Sequence, residues 1–151
     1  MIRSAIGNVA DTVETANRLR PALIRLSREL RRETESLGVT SRQVTLLHLI
    51  REHPGLSLRE LAAYERISAP SLSGHVDRLE RAGLIERVRS ATDRRRVGLE
   101  LTDAGARLLR RVRARRTTWL AERLEALEPD EIEAIERAIE PLHRLLAEDD
   151  A

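Results

Sequence analysis

Three consecutive arginines, Arg94 to Arg96, concentrate positive charge in the run DRRRVGLELTDAG. A guanidinium group stays charged at physiological pH and donates hydrogen bonds in a planar fork that suits phosphate and carboxylate oxygens. Asp93 stands directly before them, and we interpret it as a brace that pairs with one of these arginines and fixes its direction. The cluster predicts a binding site for an anionic partner, and the alternative is a solvated turn with incidental charge.

A second set of polar side chains lies upstream, in the segment SAPSLSGHVDRLER. Leu72, Val76 and Leu79 recur at gaps of four and three, as on the buried face of a helix. Ser68 is predicted to cap that helix, and Pro70 fits its first turn, where the missing N–H is not needed. The side chains off the apolar stripe are small or polar: Ser71, Ser73, Gly74, His75 and Arg78. This face is predicted to contact phosphates and base edges.

The sequence also predicts the elements that present these side chains. Thr40 with Gln43, and Ser57 with Glu60, form capping boxes that open two helices. A short strand over 84–88 and an alternating strand over 97–101 form a hairpin with the arginines near its tip. The short helix that begins at Ser57, the helix that Ser68 caps and the basic hairpin that follows them form a winged helix-turn-helix. The predicted fold is mainly α, with a small two-stranded wing.

Long helical patterns flank this lobe. Leu19 and Leu23 belong to a helical face within 11–37, and another helix is predicted to begin at Asp103. Pro129 opens a last helix with an apolar seam of Ile132, Ile135, Ile139, Leu142 and Leu146. Such a heptad-like seam packs against another helix. We predict that the N- and C-terminal helices form a homodimer interface, and the alternative is a seam covered by the chain's own first helix.

Composition limits the other classes of protein. The 151 residues fit one domain, and all 27 basic residues are arginine, at a net charge of only +2. The basic residues cluster over 87–96 and 107–116, whereas the chain after Leu127 is acidic. The N-terminus lacks the apolar run of a signal peptide, no stretch is apolar enough for a membrane span, and cysteine is absent. We expect a cytoplasmic protein without membrane association, disulfides or thiol chemistry.

No enzyme chemistry is predicted. The four histidines, His48, His53, His75 and His143, lie in separate elements without metal-ligand spacing. The sequence contains no glycine-rich phosphate loop and no nucleophile elbow. We therefore predict no catalysis, no metal and no cofactor.

Three segments resemble the MarR family of bacterial transcription regulators: LRPALIRLSRELRRE (19–33), LRELAAYERISAPSLSGHVDRLERAGLIER (58–87) and DRRRVGLELTDAG (93–105). The resemblance implies a homodimer with intertwined terminal helices and a recognition helix in the major groove. It also implies a wing whose first arginine, Arg94, reaches the minor groove. These DNA-binding roles fall on Ser71, Ser73, His75, Asp93, Arg94 and Arg95.

The sequence departs from the family in two places. Ser90-Ala91 stands where many members have Asp-Pro, and it predicts a wing loop that stays more mobile until DNA orders it. Gly74 lies near positions where the family often has Thr and Arg. Because glycine has no side chain to contact DNA, we expect His75 or Arg78 to make the cationic contact there. The resemblance further implies a small aromatic or anionic effector, for which His48 and Trp119 are the candidate lining residues. Their alternative roles are a half-buried histidine and a core or interface tryptophan.

The sequence thus predicts a transcription regulator, a repressor that binds a palindromic double-stranded operator as a homodimer. One MarR-like domain over 1–151 would contain the winged lobe at about 40–101 and dimerisation helices at about 9–38 and 103–148. The predicted DNA contacts are Ser68, Pro70, Ser71, Ser73, Gly74, His75, Arg78, Arg87, Asp93, Arg94, Arg95 and Arg96. The alternatives are an architectural, sequence-tolerant DNA-binding protein and a protein–protein adaptor of the same fold.

Overall fold

The computed structural model describes residues 2–146, with side chains from residue 11 onward. Six helices and two strands follow one another: α1 (Ile2–Glu35), α2 (Ser41–Glu52), α3 (Leu58–Glu65), α4 (Ala69–Arg81), β1 (Ile85–Arg89), β2 (Val97–Leu101), α5 (Asp103–Leu124) and α6 (Pro129–Arg144). The strands pair antiparallel, with Ile85 opposite Leu101 and Arg89 opposite Val97. The predicted mainly α fold with a two-stranded wing is confirmed.

The long terminal helices differ in extent from the prediction. Helix α1 begins at Ile2 and continues through Pro21, although the sequence pattern placed its start near residue 11. Helix α6 ends at Arg144, and positions 147 and 148 of the predicted helix lie outside the described residues. The chain forms two compact units, residues 1–115 and 116–151, and their boundary falls inside α5. The assignment of one domain to 1–151 stays a prediction.

Helix boundaries in the winged lobe follow from side-chain caps. The hydroxyl groups of Thr40 and Ser57 accept from the N–H groups of Gln43 and Glu60, and the Gln43 and Glu60 side chains accept in return. Each such cap satisfies donors that the first helical turn leaves unpaired, and it typically contributes about 1 kcal/mol. The capping boxes therefore fix where α2 and α3 begin, as predicted.

The core of the winged lobe is built from the apolar faces of its helices and strands. Leu46, Leu47 and Ile50 of α2 and Leu61 of α3 have no exposed surface. Helix α4, the wing strands and α5 contribute further fully or nearly fully buried members: Leu72, Val76, Leu79, Ile85, Leu99, Leu109 and Val112. Because α4 and both wing strands share this core, the polar faces that they turn outward are held on one framework.

The wing is anchored to the link between α2 and α3, which the sequence pattern did not predict. Leu56 forms a bridge with Leu99, the Leu99 N–H donates to the Leu56 carbonyl at 2.9 Å, and the Gly55 N–H donates to the Leu99 carbonyl at 3.0 Å. This backbone approach requires Gly98, where an added Cβ would clash with the Gly55 carbonyl group. The link therefore acts as a short third partner of the sheet.

Replacing Gly98 with alanine is expected to destabilise the fold by about 1–3 kcal/mol, the range for overpacking a filled site. The clashing atoms are backbone, so no flexible side chain can yield. Thermal unfolding should show a fall in Tm of about 2–4 °C per kcal/mol. Gly74→Ala is the matched control, since nothing lies within 4 Å of its added Cβ and alanine favours the helix. An unchanged Tm for Gly98→Ala would contradict the tight wing anchor.

Candidate nucleic-acid interface

Helix α4 presents the predicted polar face. Leu72 and Val76 are buried on its inner side, whereas Ser71 and Arg78 are more accessible on the outer side. The Ser68 hydroxyl accepts from the Ser71 N–H at 3.4 Å and caps the helix, and Pro70 lies in the first turn. The N-terminal end of α4 therefore offers small groups and a positive helix dipole to a ligand.

The middle of that face is less exposed than the sequence predicted. Ser73, Gly74 and His75 are half-buried. The His75 Nδ1 atom is buried without a hydrogen-bond partner, so only the Nε2 side of the ring is left for a ligand. Nothing lies within 4 Å of a Cβ built on Gly74, so the backbone there is open to close approach.

The wing loop is closed by local hydrogen bonds. The Ser90 hydroxyl accepts from the backbone N–H groups of Thr92 and Asp93 at 3.3 and 3.2 Å, and the Ser90 N–H donates to the Arg96 carbonyl at 2.9 Å. Ser90, which we expected to leave the loop mobile, thus supplies turn contacts itself.

Asp93 acts as a brace, but through the backbone. Its carboxylate accepts from the Arg95 N–H at 3.0 Å, and its carbonyl accepts from the Arg96 N–H at 2.9 Å. The expected ion pair with an arginine side chain of the wing does not form among the described residues, and this part of the prediction is wrong. The physical reason is the short aspartate side chain. Its carboxylate reaches the backbone N–H two residues later more readily than it reaches the end of a long arginine side chain.

Arg94 and Arg95 are exposed at the wing tip. Among the side chains of residues 11–146, neither guanidinium group has a carboxylate within ion-pair distance. Two positive charges are therefore available to an external anion.

Arg96 was predicted to face DNA, but its guanidinium group turns to the protein. Its Nη2 atom donates to both carboxylate oxygens of Glu60 at 2.6 and 2.7 Å. The same carboxylate accepts from the Ser57 N–H at 2.7 Å. Glu60 therefore links the base of the wing to the start of α3. Sequence reasoning assigned Glu60 only to the capping box, because nothing local in the pattern connects it to a residue 36 positions away.

Acid is expected to break this link. The pKa of Glu60 lies below its ordinary value of 4.5, first because the Ser57 N–H donates to the carboxylate, then through the Ser57 side chain and the charge of Arg96. A lowered folded-state pKa stabilises the fold above the unfolded value, and that stabilisation is lost as pH falls through the folded value. Glu60→Gln keeps the capping role and removes the titration. Its Tm should therefore fall less steeply than that of the parent between about pH 5 and 3.

The control for this titration is Glu52→Gln, which removes an exposed carboxylate from the end of α2. It should reproduce the pH profile of the parent protein. If Glu60→Gln also reproduced it, the carboxylate of Glu60 would have no measurable share in holding the wing.

Arg87, another predicted DNA contact, also pairs within the protein. Its Nε atom donates to Glu80 at 2.8 Å and its Nη2 atom to Asp77 at 3.0 Å. The hydrogen bond to Glu80 is the main reason that the pKa of Arg87 is raised. Arg87 thus joins β1 to α4 and neutralises two carboxylates beside the polar face. Asp77 and Glu80 lie beside a face that is proposed to meet phosphate, so their charges require a neutralising cation. These two acids could have indicated the role of Arg87 from the sequence, but they were not used.

The two candidate effector residues belong to different compact units. His48 is half-buried on α2. Trp119 is 7% exposed, and the Arg123 guanidinium lies 3.8 Å from its ring centroid. A cleft of about 550 Å³ lies beside the wing, where Gly55, Val88 and Ser90 contribute to its wall. The effector site stays a prediction.

The predicted dimer residues form apolar surface on the terminal helices. On α1, Leu23 is 43% exposed and Leu19 is half-buried. Helix α6 contains no buried residue. Within its seam Ile135, Ile139 and Leu146 are exposed, and Ile132 and Leu142 are half-buried.

Two broader absences hold for the described residues. No helix within 2–146 combines the length and the hydropathy needed to cross a bilayer. The described side chains also contain no group of three or more histidine, aspartate or glutamate residues arranged to hold a metal ion.

Comparison with known proteins places this architecture. The MarR family model matches residues 39–97. An HTH-type transcriptional regulator of Mycobacterium tuberculosis is 31% identical over 133 residues, which cover 88% of this chain and 93% of the relative. The HTH-type transcriptional repressor MdtR of Bacillus subtilis is 32% identical over 69% of this chain and 67% of its own length.

A solved structure of similar fold agrees. The structure of a MarR family protein from Bacillus stearothermophilus superimposes with a TM-score of 0.72 at 28% identity, covering 90% of this chain and 95% of that one. Members of this family are transcription regulators with a DNA-binding winged helix, and they are not enzymes. The chain belongs to the MarR family.

Proposed function

We propose that the protein is a repressor that binds a palindromic operator as a homodimer. The observation that carries the proposal is the pairing of one accessible polar helix face with two uncompensated arginines on the same lobe. Ser71 and Arg78 lie on α4, Arg94 and Arg95 lie at the wing tip, and the core that they share holds both elements in place.

The chemistry of α4 suits the major groove. An α-helix fits that groove, and the residues near its N-terminus reach base edges. Ser71 and Ser73 exchange hydrogen bonds with bases or phosphates, and His75 contributes its Nε2 side. Arg78 suits a bidentate contact to guanine. Such a contact favours guanine over another base by about 1–3 kcal/mol. Ser68 and Pro70 set where this helix begins.

The wing tip suits the neighbouring backbone or the minor groove. A narrow minor groove concentrates negative potential and attracts arginine, whose guanidinium group sheds water readily. Arg94 and Arg95 fill this role, and Asp93 shapes the loop that presents them. Arg87 and Arg96 act as positioning residues, because their ion pairs tie the wing to α4 and α3.

Dimerisation follows from the exposed apolar faces of α1 and α6. Isolated solvent-facing Ile and Leu are normal, but a helix whose apolar seam has no fully buried member needs a partner. A second copy fits, since a twofold axis presents two recognition helices to half-sites about 34 Å apart. The repressor assignment is supported by the relative MdtR, which is a transcriptional repressor. Because the target is chromosomal DNA, we expect the protein to act in the cytoplasm.

Selection of bound duplexes from a random pool tests this proposal. We expect an inverted repeat whose half-sites are separated by about one helical turn. Recovery of unrelated sequences with equal affinity would indicate an architectural DNA-binding protein, and recovery of no duplex would indicate an adaptor. Placing the recovered site across a promoter in a reporter strain then tests repression. Effector control stays a prediction that rests on the resemblance alone.

A further inference from the structure

The turn between α3 and α4 contains a strained residue. Arg66 caps the C-terminus of α3 with φ 51° and ψ 37°, in the left-handed region. It is the one non-glycine residue with positive φ in the described part of the chain. A Cβ atom crowds the backbone in this region, so glycine is the usual residue there. The sequence places an arginine where glycine would fold more easily.

The turn itself requires this backbone conformation. The Arg66 N–H donates to the carbonyl groups of Ala62 and Ala63, and the Ile67 N–H donates to the Ala62 carbonyl at 3.2 Å. Ile67 packs against the core directly after the turn. Because these contacts close α3 and set the entry to α4, residue 66 has no alternative conformation in this fold.

The side chain of Arg66 is an exposed cation. Among the described side chains, its guanidinium group forms no hydrogen bond or ion pair. Both preceding residues are engaged elsewhere: Glu65 lies 4.0 Å from the Arg42 guanidinium, and Tyr64 stacks on His53 at 5.0 Å between ring centroids. No interaction among the described residues therefore accounts for an arginine at this strained position.

Its location supplies an explanation. Arg66 precedes by two residues the cap Ser68, at the end of α4 that enters the groove under the proposed function. If α4 occupies the major groove as proposed, a cation on this turn would lie beside the edge of that groove, where phosphates line the DNA backbone. Non-glycine residues held in the left-handed region cluster at ligand-binding sites.

We propose that Arg66 binds a DNA phosphate at the edge of the groove that α4 occupies. This inference rests on the proposed function and adds a contact that the sequence motifs did not assign. Phosphate contacts set position and orientation on the duplex without reading sequence. Arg66 therefore contributes equally to operator and to random DNA.

The test uses the whole chain and a duplex of random sequence. The duplex is about 30 base pairs long, so that it spans two half-sites. Its affinity for the protein is measured over a range of salt concentrations. Arg66→Gly is expected to raise Tm by about 2–4 °C, because strain is relieved. The same variant should bind about tenfold more weakly, and the slope of log K against log salt should fall by about one for each bound protomer. A variant that is more stable than the parent but binds DNA more weakly would identify Arg66 as a residue retained for DNA binding.

Two further variants separate charge from backbone. Arg66→Ala removes the charge and keeps the strain, so its affinity should fall as for glycine without the rise in Tm. Arg66→Lys keeps a point charge that phosphate accepts, and it should bind almost as the parent does. Arg28→Ala removes the same charge from α1 and is expected to leave the salt slope unchanged.

The outcomes distinguish this inference from the proposed function. If the parent protein binds neither random nor selected duplex, the proposed function itself fails. If the parent binds and Arg66→Gly matches it in affinity and salt slope, only the role of Arg66 is overturned. A weaker variant with an unchanged slope also overturns it, since the turn and not a phosphate contact would then have been damaged. A fall in Tm for Arg66→Gly would refute the strain argument.

Discussion

Replacing both Arg94 and Arg95 with alanine is expected to lower the affinity for the selected operator at least about a hundredfold. Each guanidinium group is exposed and uncompensated by a carboxylate of the described chain, so its charge is available to phosphate. A hydrogen bond to a charged group contributes about 1.5–3 kcal/mol, and about 1.4 kcal/mol is a factor of ten. Fluorescence anisotropy at fixed salt measures the loss.

The fold should survive this change, because neither side chain contributes to the core. Arg110→Ala with Arg113→Ala removes the same charge from exposed positions on α5, and it is expected to cost far less affinity. The salt slope should also fall only for the wing variant, by about 0.9 for each phosphate that the wing no longer neutralises. Normal operator binding by the wing variant at physiological salt would show that the wing does not contact DNA.

Local sequence patterns were sufficient to predict most of the winged lobe. The starts of α2 and α3 follow from capping boxes at Thr40 and Ser57, and β2 follows from strict alternation of apolar residues. Each of these signals involves residues only a few positions apart, so it can be recognised without knowing the tertiary structure. The exposure of Ser71 was predictable for the same reason, because helical periodicity settles which side of α4 is buried.

The partners of the wing arginines were not predictable in this way. Arg96 meets Glu60 across 36 residues, and Arg87 meets Asp77 across ten. Such pairs depend on how β1 and β2 lie against the helices, which no local pattern specifies. The sequence therefore pointed to a cluster of arginines but could not divide it. Within the described residues Arg87 and Arg96 form ion pairs, whereas Arg94 and Arg95 have no carboxylate partner.

The same limit applies to backbone conformation. The sequence has no glycine after α3 to mark the left-handed residue, and Arg66 was overlooked. The bridge between Leu56 and Leu99 was missed because a single residue pair carries no periodicity. Both features depend on how distant or consecutive backbone segments are arranged, which side-chain periodicity does not specify.

Introducing aspartate at both Ile135 and Ile139 is expected to give a monomer at micromolar concentration. These side chains are 42% and 49% exposed, and α6 buries no residue, so the change leaves the fold of the single chain almost unaffected. In a dimer the same positions would place carboxylates in an apolar interface, where unpaired charges are costly. Sedimentation velocity measures the association state, and circular dichroism checks the helix content.

Loss of the dimer should weaken operator binding by about 10²–10⁴, since the second half-site would no longer be bound at high effective concentration. Arg137→Asp is the matched control, because it changes the net charge by the same two units on the polar side of α6. That control should remain dimeric and keep its affinity. A double aspartate variant that stayed dimeric would place the interface elsewhere. A monomeric variant with unchanged affinity would show that one protomer suffices for binding, and the twofold operator would then lose its physical basis.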